Sequence, residues 1–491
     1  MRPTEAHFAR HFCSLVPNRK DSGHRGRSKN DAPLALIPEL PISALLKYTL
    51  LWRYIMLIKY PRALIAILTV FMLGASAQEA FAGFSIGKNG PQVHGFVESA
   101  YGQKLVSDQT KRDNFNLNEQ RLQLKTKMYP EWTPILADWM ATFEAKADFT
   151  VDWYYNGRTD ADLRVLSLAL SPTDVTEIKL GRQVFTWGTG DYLFINDVFP
   201  KDYESFYIGR DDEYLKKPND GIKESFYNEA ANIDLIVIPQ FVANTLPDGK
   251  RLSFFDPFQH GIAGIQSDRA LIEPGHSLEH AEFASRVYRN YGSYEAAGYM
   301  FHGHYRLPRG YLDEMKRELF YPRLDVYGAS LRGPGFGGIV NAEFGFYRSP
   351  QDNNGDNRLI ENSSVKYMMG YDKDLGNDLR LGVQYLYEQT LDYDNYLDAL
   401  LPQDYVWDEC RHVTTLRITK LYKNQTVRAG LFVFYSPSDH DGYLRPTIDY
   451  DLSDAWKLSC GANLAWGKDT HTEFGQMEHN KNIYVRVRYS Y

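Results

Sequence analysis

Arg121-Leu122-Gln123-Leu124-Lys125-Thr126-Lys127-Met128 is the stretch that decides the fold. Leu122, Leu124, Thr126 and Met128 fall on one side of an extended chain, and Arg121, Gln123, Lys125 and Lys127 on the other. Side chains alternate faces along a strand, so this is a segment half apolar and half polar. The same period continues from about residue 95 to the C-terminus. Phe143, Ala145, Ala147, Phe149, Val151, Trp153 and Tyr155 alternate with Glu144, Lys146, Asp148, Thr150 and Asp152. Leu379–Tyr385 and Val427–Val433 repeat the scheme. Soluble sheets use strands of about five or six residues. Here the segments run to about 10–15 residues, and about 9–11 suffice for a tilted strand to cross a bilayer. Aromatic residues gather near segment ends, at Trp153-Tyr154-Tyr155, Phe185 and Trp187, Phe346-Tyr347, Tyr385 and Tyr387, and Trp466. Membrane barrels place their aromatic girdles there. The expected fold is all-β: a transmembrane antiparallel up-and-down β-barrel.

The connections have two lengths. Short turns fall at 171–174, 228–231, 289–292, 333–335, 374–377, 423–424 and 452–454. Between them lie longer polar loops at about 105–115, 189–221, 242–280, 306–321, 350–361, 392–410 and 467–479. Short periplasmic turns and long external loops are the asymmetry of outer-membrane barrels. Dividing the chain this way gives about 18 strands, with both ends on one side.

The one long apolar stretch comes earlier. Residues 56–82 carry a basic start (Lys59, Arg62), an apolar core over 63–73 and two small-x-small sites, Ala75-Ser76-Ala77 and Ala80-Phe81-Ala82. That is the layout of a secretory signal peptide; an N-terminal anchor helix is the alternative. Residues 1–55 are a basic extension, either untranslated before a start at Met56 or an unusually long leader. The barrel is then expected over 83–491.

Composition narrows the function. The 491 residues hold 55 Lys and Arg, 62 Asp and Glu, and 3 Cys. Residues 1–82 hold 11 basic and 5 acidic side chains, so the remainder carries 44 against 57, a net charge near −13. Such a chain is a poor general binder of nucleic acid. Three cysteines build no disulfide scaffold. No GxSxG elbow or other catalytic spacing appears, so no enzyme and no cofactor are expected.

At the C-terminus, Ile483, Val485, Val487, Tyr489 and Tyr491 alternate with Tyr484, Arg486, Arg488 and Ser490. Val485, Val487, Tyr489 and Tyr491 resemble the C-terminal signal by which outer-membrane barrels reach their assembly machinery. If apolar positions face lipid, the alternate positions face the lumen. The expected pore-lining cations are Arg121, Lys125, Lys127, Lys146 and Arg182 on the first strands. Arg380, Arg417, Arg428, Arg445, Arg486 and Arg488 continue the series. Acidic partners such as Glu144, Asp148, Asp152, Glu343 and Glu388 are fewer. A water-filled pore lined by Arg and Lys lowers the barrier for anions, whereas cross-strand pairing of the same charges stiffens the wall.

Lys179-Leu180-Gly181-Arg182-Gln183-Val184-Phe185-Thr186-Trp187-Gly188, followed by Asn196-Asp197-Val198-Phe199-Pro200-Lys201-Asp202, resembles a feature of alginate-export-like and related porin-like outer-membrane barrels. The resemblance spans about 25 residues. It implies an 18-stranded barrel, and it implies that Arg182 and Trp187 pack the loop at 189–221 against the wall or into the pore; Trp187 alternatively belongs to a girdle. The expected function is passage of small or oligomeric hydrophilic, anionic solutes across the outer membrane. Export of an acidic polysaccharide is one alternative, and a loop-plugged structural or adhesive barrel another. Expected surroundings are outer-membrane lipid and lipopolysaccharide. Of the remaining clusters, Asp352–Asn357 is either an oxygen-rich Ca²⁺ site or a turn-rich loop. His260, His276 and His280, with Glu279 and Glu282, match no strong metal motif.

Overall fold

Eighteen long strands are hydrogen-bonded side by side, and the last returns to the first. They are β1 Gln92–Lys104, β2 Phe115–Met128, β3 Thr142–Asp152, β4 Arg158–Thr173, β5 Thr176–Gln183 and β6 Asn219–Phe226. Then follow β7 Asn232–Ile238, β8 Glu282–Tyr291, β9 Tyr294–His304, β10 Arg323–Gly335, β11 Gly338–Arg348 and β12 Ser364–Asp374. The circuit ends with β13 Leu379–Thr390, β14 Cys410–Tyr422, β15 Val427–Ser436, β16 Asp441–Asp451, β17 Trp456–Gly467 and β18 Asn482–Ser490. This computed structural model describes residues 92–491 except 109, 111–113, 131 and 403, together with the backbone of Phe84–Ser85, which pairs with the start of β1. The extension over 1–55 and the signal segment over 56–82 lie outside the described residues.

Every neighbouring pair is antiparallel, and β1 closes on β18 with Phe96 opposite Ser490 and Lys104 opposite Asn482. Closure removes the free edges that an open sheet cannot present to hydrocarbon. The outer face carries Phe149, Leu166, Ile222, Leu235, Met300, Tyr327, Met369 and Tyr385, all exposed. An apolar exterior on a closed antiparallel cylinder is that of an outer-membrane β-barrel. Among the described residues, no helix is long and apolar enough to cross a membrane.

The expected short turns all fall at the end that holds both termini, and the expected long loops all fall at the opposite end. Three connections differ from expectation. The strand expected to run to Tyr155 stops at Asp152, whose carboxylate accepts the Tyr154 N–H and starts a single 3₁₀ turn over Trp153–Tyr155. A tight loop-end connection at 437–440 joins β15 to β16. At the turn end, 129–141 is longer than its counterparts and contains a five-residue helix, α1 Pro134–Asp138, capped by Thr133.

Inside, the polar face of the wall is not left open over its whole height. Connection 184–218 between β5 and β6 folds back into the lumen with a short helix, α2 Tyr203–Ile208. Its Phe185, Leu193, Ile195, Phe199, Phe206 and Ile208 meet inward wall residues Ile236, Phe301, Val326, Met368, Phe432 and Phe434 in one buried cluster. Inward-facing phenylalanines depart from the expectation that every aromatic looks at lipid. They face inward because the loop offers them an apolar partner there.

Candidate functional site: a loop anchored across the lumen

The loop 184–218 is held at two opposite stretches of wall. On β11, the buried Glu343 carboxylate accepts hydrogen bonds from the backbone N–H of Thr189, from that of Gly190 at 3.0 Å and from that of Asn196 at 3.3 Å. The Asn196 side-chain amide donates to it at 2.9 Å. Beside it, Gly328 on β10 is registered with Gly345 on β11. A Cβ at Gly328 would lie 1.8 Å from Asn196 Oδ1, and one at Gly345 2.6 Å from Ile195. The paired glycines form the groove in which 195–196 lies. Trp187 packs on Phe199 and on Tyr299 of β9, with ring centroids 5.1 and 5.9 Å apart. It therefore holds the loop from inside the barrel and is not a girdle residue.

The opposite anchorage is ionic. Asp212 binds Arg445 at 2.6 Å, Asp211 binds Arg486 at 3.0 Å and Arg488 at 3.2 Å, and Glu213 binds Lys146 at 2.8 Å. Glu98 on β1 shares Arg488 at 2.8 Å. Arg210 returns the exchange, reaching Glu119 on β2 at 2.8 Å, while Arg121 is held between Glu119 and Asp148 at 2.9 and 3.1 Å. Asp211 sits where Arg486 and Arg488 converge, and it supplies an N-cap for Glu213. A third attachment joins Asp191 to Arg417 at 2.9 Å, next to Asp372. Buried charges are tolerated only when paired and hydrogen-bonded, and here the loop supplies carboxylates to a basic wall. The acidic run Asp211-Asp212-Glu213 is the sequence signal for this arrangement. It reads as a solvated loop until the wall's arginines are placed opposite it.

The expected pore-lining cations therefore divide into groups. Arg121, Lys146, Arg417, Arg445, Arg486 and Arg488 come together around the loop, each in an ion pair. Lys125 is half exposed with Glu144 4.0 Å away. Lys127 and Arg428 lie nearer the turn end, exposed and without an ion pair among the described residues. Arg380 is 74% exposed at the turn end, 3.7 Å from Asp374. Arg182 departs from the expectation. Its register partners are Leu166 on β4 and Asp220 on β6, and it makes a two-pronged pair with Asp220 at 2.7 and 2.9 Å. Its neighbour Gln183 takes the inward position instead, so Arg182 stands on the outer face and does not touch the loop interior. The bulge at Arg164 has the opposite effect. It turns that guanidinium inward to donate to the Glu213 and Lys216 carbonyls at 3.0 and 2.8 Å, a contact the alternation alone does not reveal.

Two further clusters resolve into local structure. The Asp352 carboxylate accepts the N–H groups of Gly355, Asp356 and Asn357 at 3.0–3.2 Å, the bonding of a turn-capping aspartate. Glu282 binds Arg306 at 2.7 Å inside the barrel and accepts the His304 backbone N–H at 3.2 Å.

No protein-family model and no curated protein matches the sequence. Among solved structures, the chain is similar to Pseudomonas aeruginosa OccK11 (OpdR) at 9% identity, over 83% of this chain and 97% of that one, with a TM-score of 0.47. Acinetobacter baumannii OccAB1 gives 10% identity, 84% and 98% coverage and a TM-score of 0.47. A mutant of the Rh. blastica porin gives 11% identity, 82% and 100% coverage and a TM-score of 0.36.

Proposed function

We propose that this protein is an outer-membrane channel for small hydrophilic solutes, with the loop 184–218 as its constriction. The observation that carries the reading is the contrast between the two halves of the lumen. Towards the loop end the wall and the inserted loop share an apolar core. Towards the turn end the inward faces are charged and exposed, with Lys125, Lys127, Arg332 and Arg428 among them. A wall kept polar and wet over that height serves a passage rather than a packing surface. Where the constriction meets it, Arg417 is shared by Asp191 and Asp372, so the preference for small anions over cations rests on the exposed cations Lys127 and Arg428 nearer the turn end. Handover to the barrel-assembly machinery through Val485, Val487, Tyr489 and Tyr491 belongs to the same reading. Those four residues share the outer face of β18 and its end, with the Tyr489 ring tilted against Trp456 at a centroid distance of 5.0 Å. A long anionic polymer requires the loop to leave its seat, so small solutes are the substrate class favoured here.

The apolar cluster between loop and wall favours a second reading, a barrel sealed by its own loops that serves as a structural or adhesive surface. Planar-bilayer conductance separates the two. Stable openings with a reversal potential on the anion side support the channel and its preference, and cation preference removes the preference alone. A wild-type protein that never opens, together with an Asp211→Asn/Asp212→Asn variant that does, identifies the sealed form.

A further inference from the structure

The outer face of β9, β10 and β11 changes character within one register step. Met300 and Phe346 flank Tyr327 in one cross-strand row, with the Tyr327 and Phe346 rings stacked at 6.4 Å. The next row towards the loop end is His302, Asp325 and Arg348, again in register on the three strands. Beyond it stands Arg323, opposite His304. Rows on one face of a strand lie two residues, about 7 Å, apart, so the apolar wall gives way to charge over the depth of a lipid headgroup layer.

Asp325 lies between its neighbours, with Oδ1 2.6 Å from His302 Nδ1 and Oδ2 3.4 Å from Arg348 Nη1. It is the only carboxylate that pairs with this group among the described residues. Arg323 donates from Nη2 to the Glu279 carbonyl at 2.7 Å, and Arg348 from Nη2 to Asn353 Oδ1 at 3.0 Å, both neutral acceptors. Two guanidiniums thus stand against one carboxylate, and each carries N–H donors beyond those bonds. The side chains of Arg348 and His302 are 45% and 50% exposed. Among the described strand residues, the other guanidinium on the outer face towards the loop end is Arg182, which Asp220 neutralises in its two-pronged pair. The cationic excess is therefore local to β9–β11.

Short turns mark the periplasmic end of such a barrel, so the patch lies at the level of the outer leaflet. Arg323 and Arg348 are diagonal neighbours on adjoining strands, positions roughly 7–8 Å apart and within mutual reach of long side chains. We propose that this patch binds the phosphate of an outer-leaflet lipid, gripped between Arg323 and Arg348 while an acyl chain lies over Met300, Tyr327 and Phe346. A guanidinium fork matches phosphate oxygens, and the phosphate offsets the cation that Asp325 leaves uncompensated. Inorganic phosphate shares the anion but has no use for the apolar row beneath it, which selects the lipid-borne form. Nothing in this inference requires the lumen to conduct.

The test is lipid retention by the full chain, extracted in detergent and weighed by native mass spectrometry. The probes are diphosphorylated lipid A and the same lipid stripped of its phosphates. Wild-type protein is expected to retain the phosphorylated form at least about tenfold more than the stripped one, with millimolar inorganic phosphate leaving it in place. Arg323→Gln/Arg348→Gln is expected to lose that preference, and Arg182→Gln on β5 to keep it. The folded, heat-modifiable band shows that each variant has assembled. Equal retention of the two lipids by the wild type overturns the proposal without any variant. So does a folded R323Q/R348Q chain that keeps the preference, or displacement of the lipid by inorganic phosphate, which identifies a free anion as the ligand.

Discussion

Glu343 does at the scale of one residue what a disulfide does elsewhere, fixing a long connection to the wall. Its carboxylate gathers three backbone N–H groups and a side-chain amide, and a buried donor left without an acceptor costs about 1–3 kcal/mol. Glu343→Ala is therefore expected to loosen 184–218 by several kcal/mol, read as faster protease cleavage within the loop and noisier conductance, with the barrel's heat-modifiability unchanged. Gly328→Val is expected to act in the same direction through shape. Its side chain occupies the position of Asn196 Oδ1, and overpacking of this kind costs about 1–3 kcal/mol. A Gly345→Ala change presses on Ile195 from the adjacent strand, and the same digest is expected to rank it below Gly328→Val.

At the scale of the element, the ionic anchorage gives the loop a dependence on pH and salt. Burial pushes the Glu204 carboxyl up to about 7, although the Arg251 guanidinium stands 3.1 Å away. A carboxyl raised in the seated loop stabilises that seat when protonated. Its contribution is complete below about 4.5, the ordinary value, and is lost as the pH rises through about 7. At 1.36 kcal/mol per unit the bound is roughly 3 kcal/mol. Protease resistance of the loop is expected to fall between pH 5 and 7.5 in the wild type and to stay flat in Glu204→Gln. Asp211 behaves in the opposite sense. It is buried beside Arg486 and Arg488, whose charges hold it down to about 2. Its contribution therefore persists above about 3.8 and is lost only as the pH falls towards 2. Asp211→Asn/Asp212→Asn removes attachments to three arginines, and the expected result is higher conductance, most evident at low ionic strength, where the wild-type ion pairs are least screened.

What was legible at this scale follows from what each kind of residue can signal. Period two is a property of the chain itself, so the wall strands and their turns appear in Arg121–Met128 and its repeats. The inserted loop is a property of two distant surfaces. Phe185, Phe199 and Phe206 sit in a stretch with no period, while Phe432 and Phe434 sit on a strand where apolar residues are expected to face lipid. Only their meeting inside the barrel explains either set. Arg182 misleads for a related reason. β5 ends one residue later, at Gln183, and polarity alone does not tell an inward arginine from one paired outside with Asp220.

At the scale of the whole molecule, the proposed assembly role of the outward row on β18 is open to a direct test. If Val485, Val487, Tyr489 and Tyr491 form the assembly signal, deletion of Tyr491 is expected to cut the folded outer-membrane fraction several-fold while a soluble precursor accumulates. The same deletion also removes the two backbone bonds of 3.1 and 3.0 Å that join Tyr491 to Gly95. Tyr491→Phe separates the two effects, since it keeps the backbone and the ring; assembly is expected to be near normal.

That junction has a kinetic meaning. Phe96 meets Ser490 only after everything between them has been laid down, so β1 waits through the whole of synthesis for a neighbour made last. Joining ends so far apart carries an entropy term that grows only logarithmically with the span, yet until they join, two raw strand margins stand open to any passing β-structure. The cell must shelter β1 for that interval. A tether that slows the arrival of β18 would convert this resting margin into the starting point of aggregation.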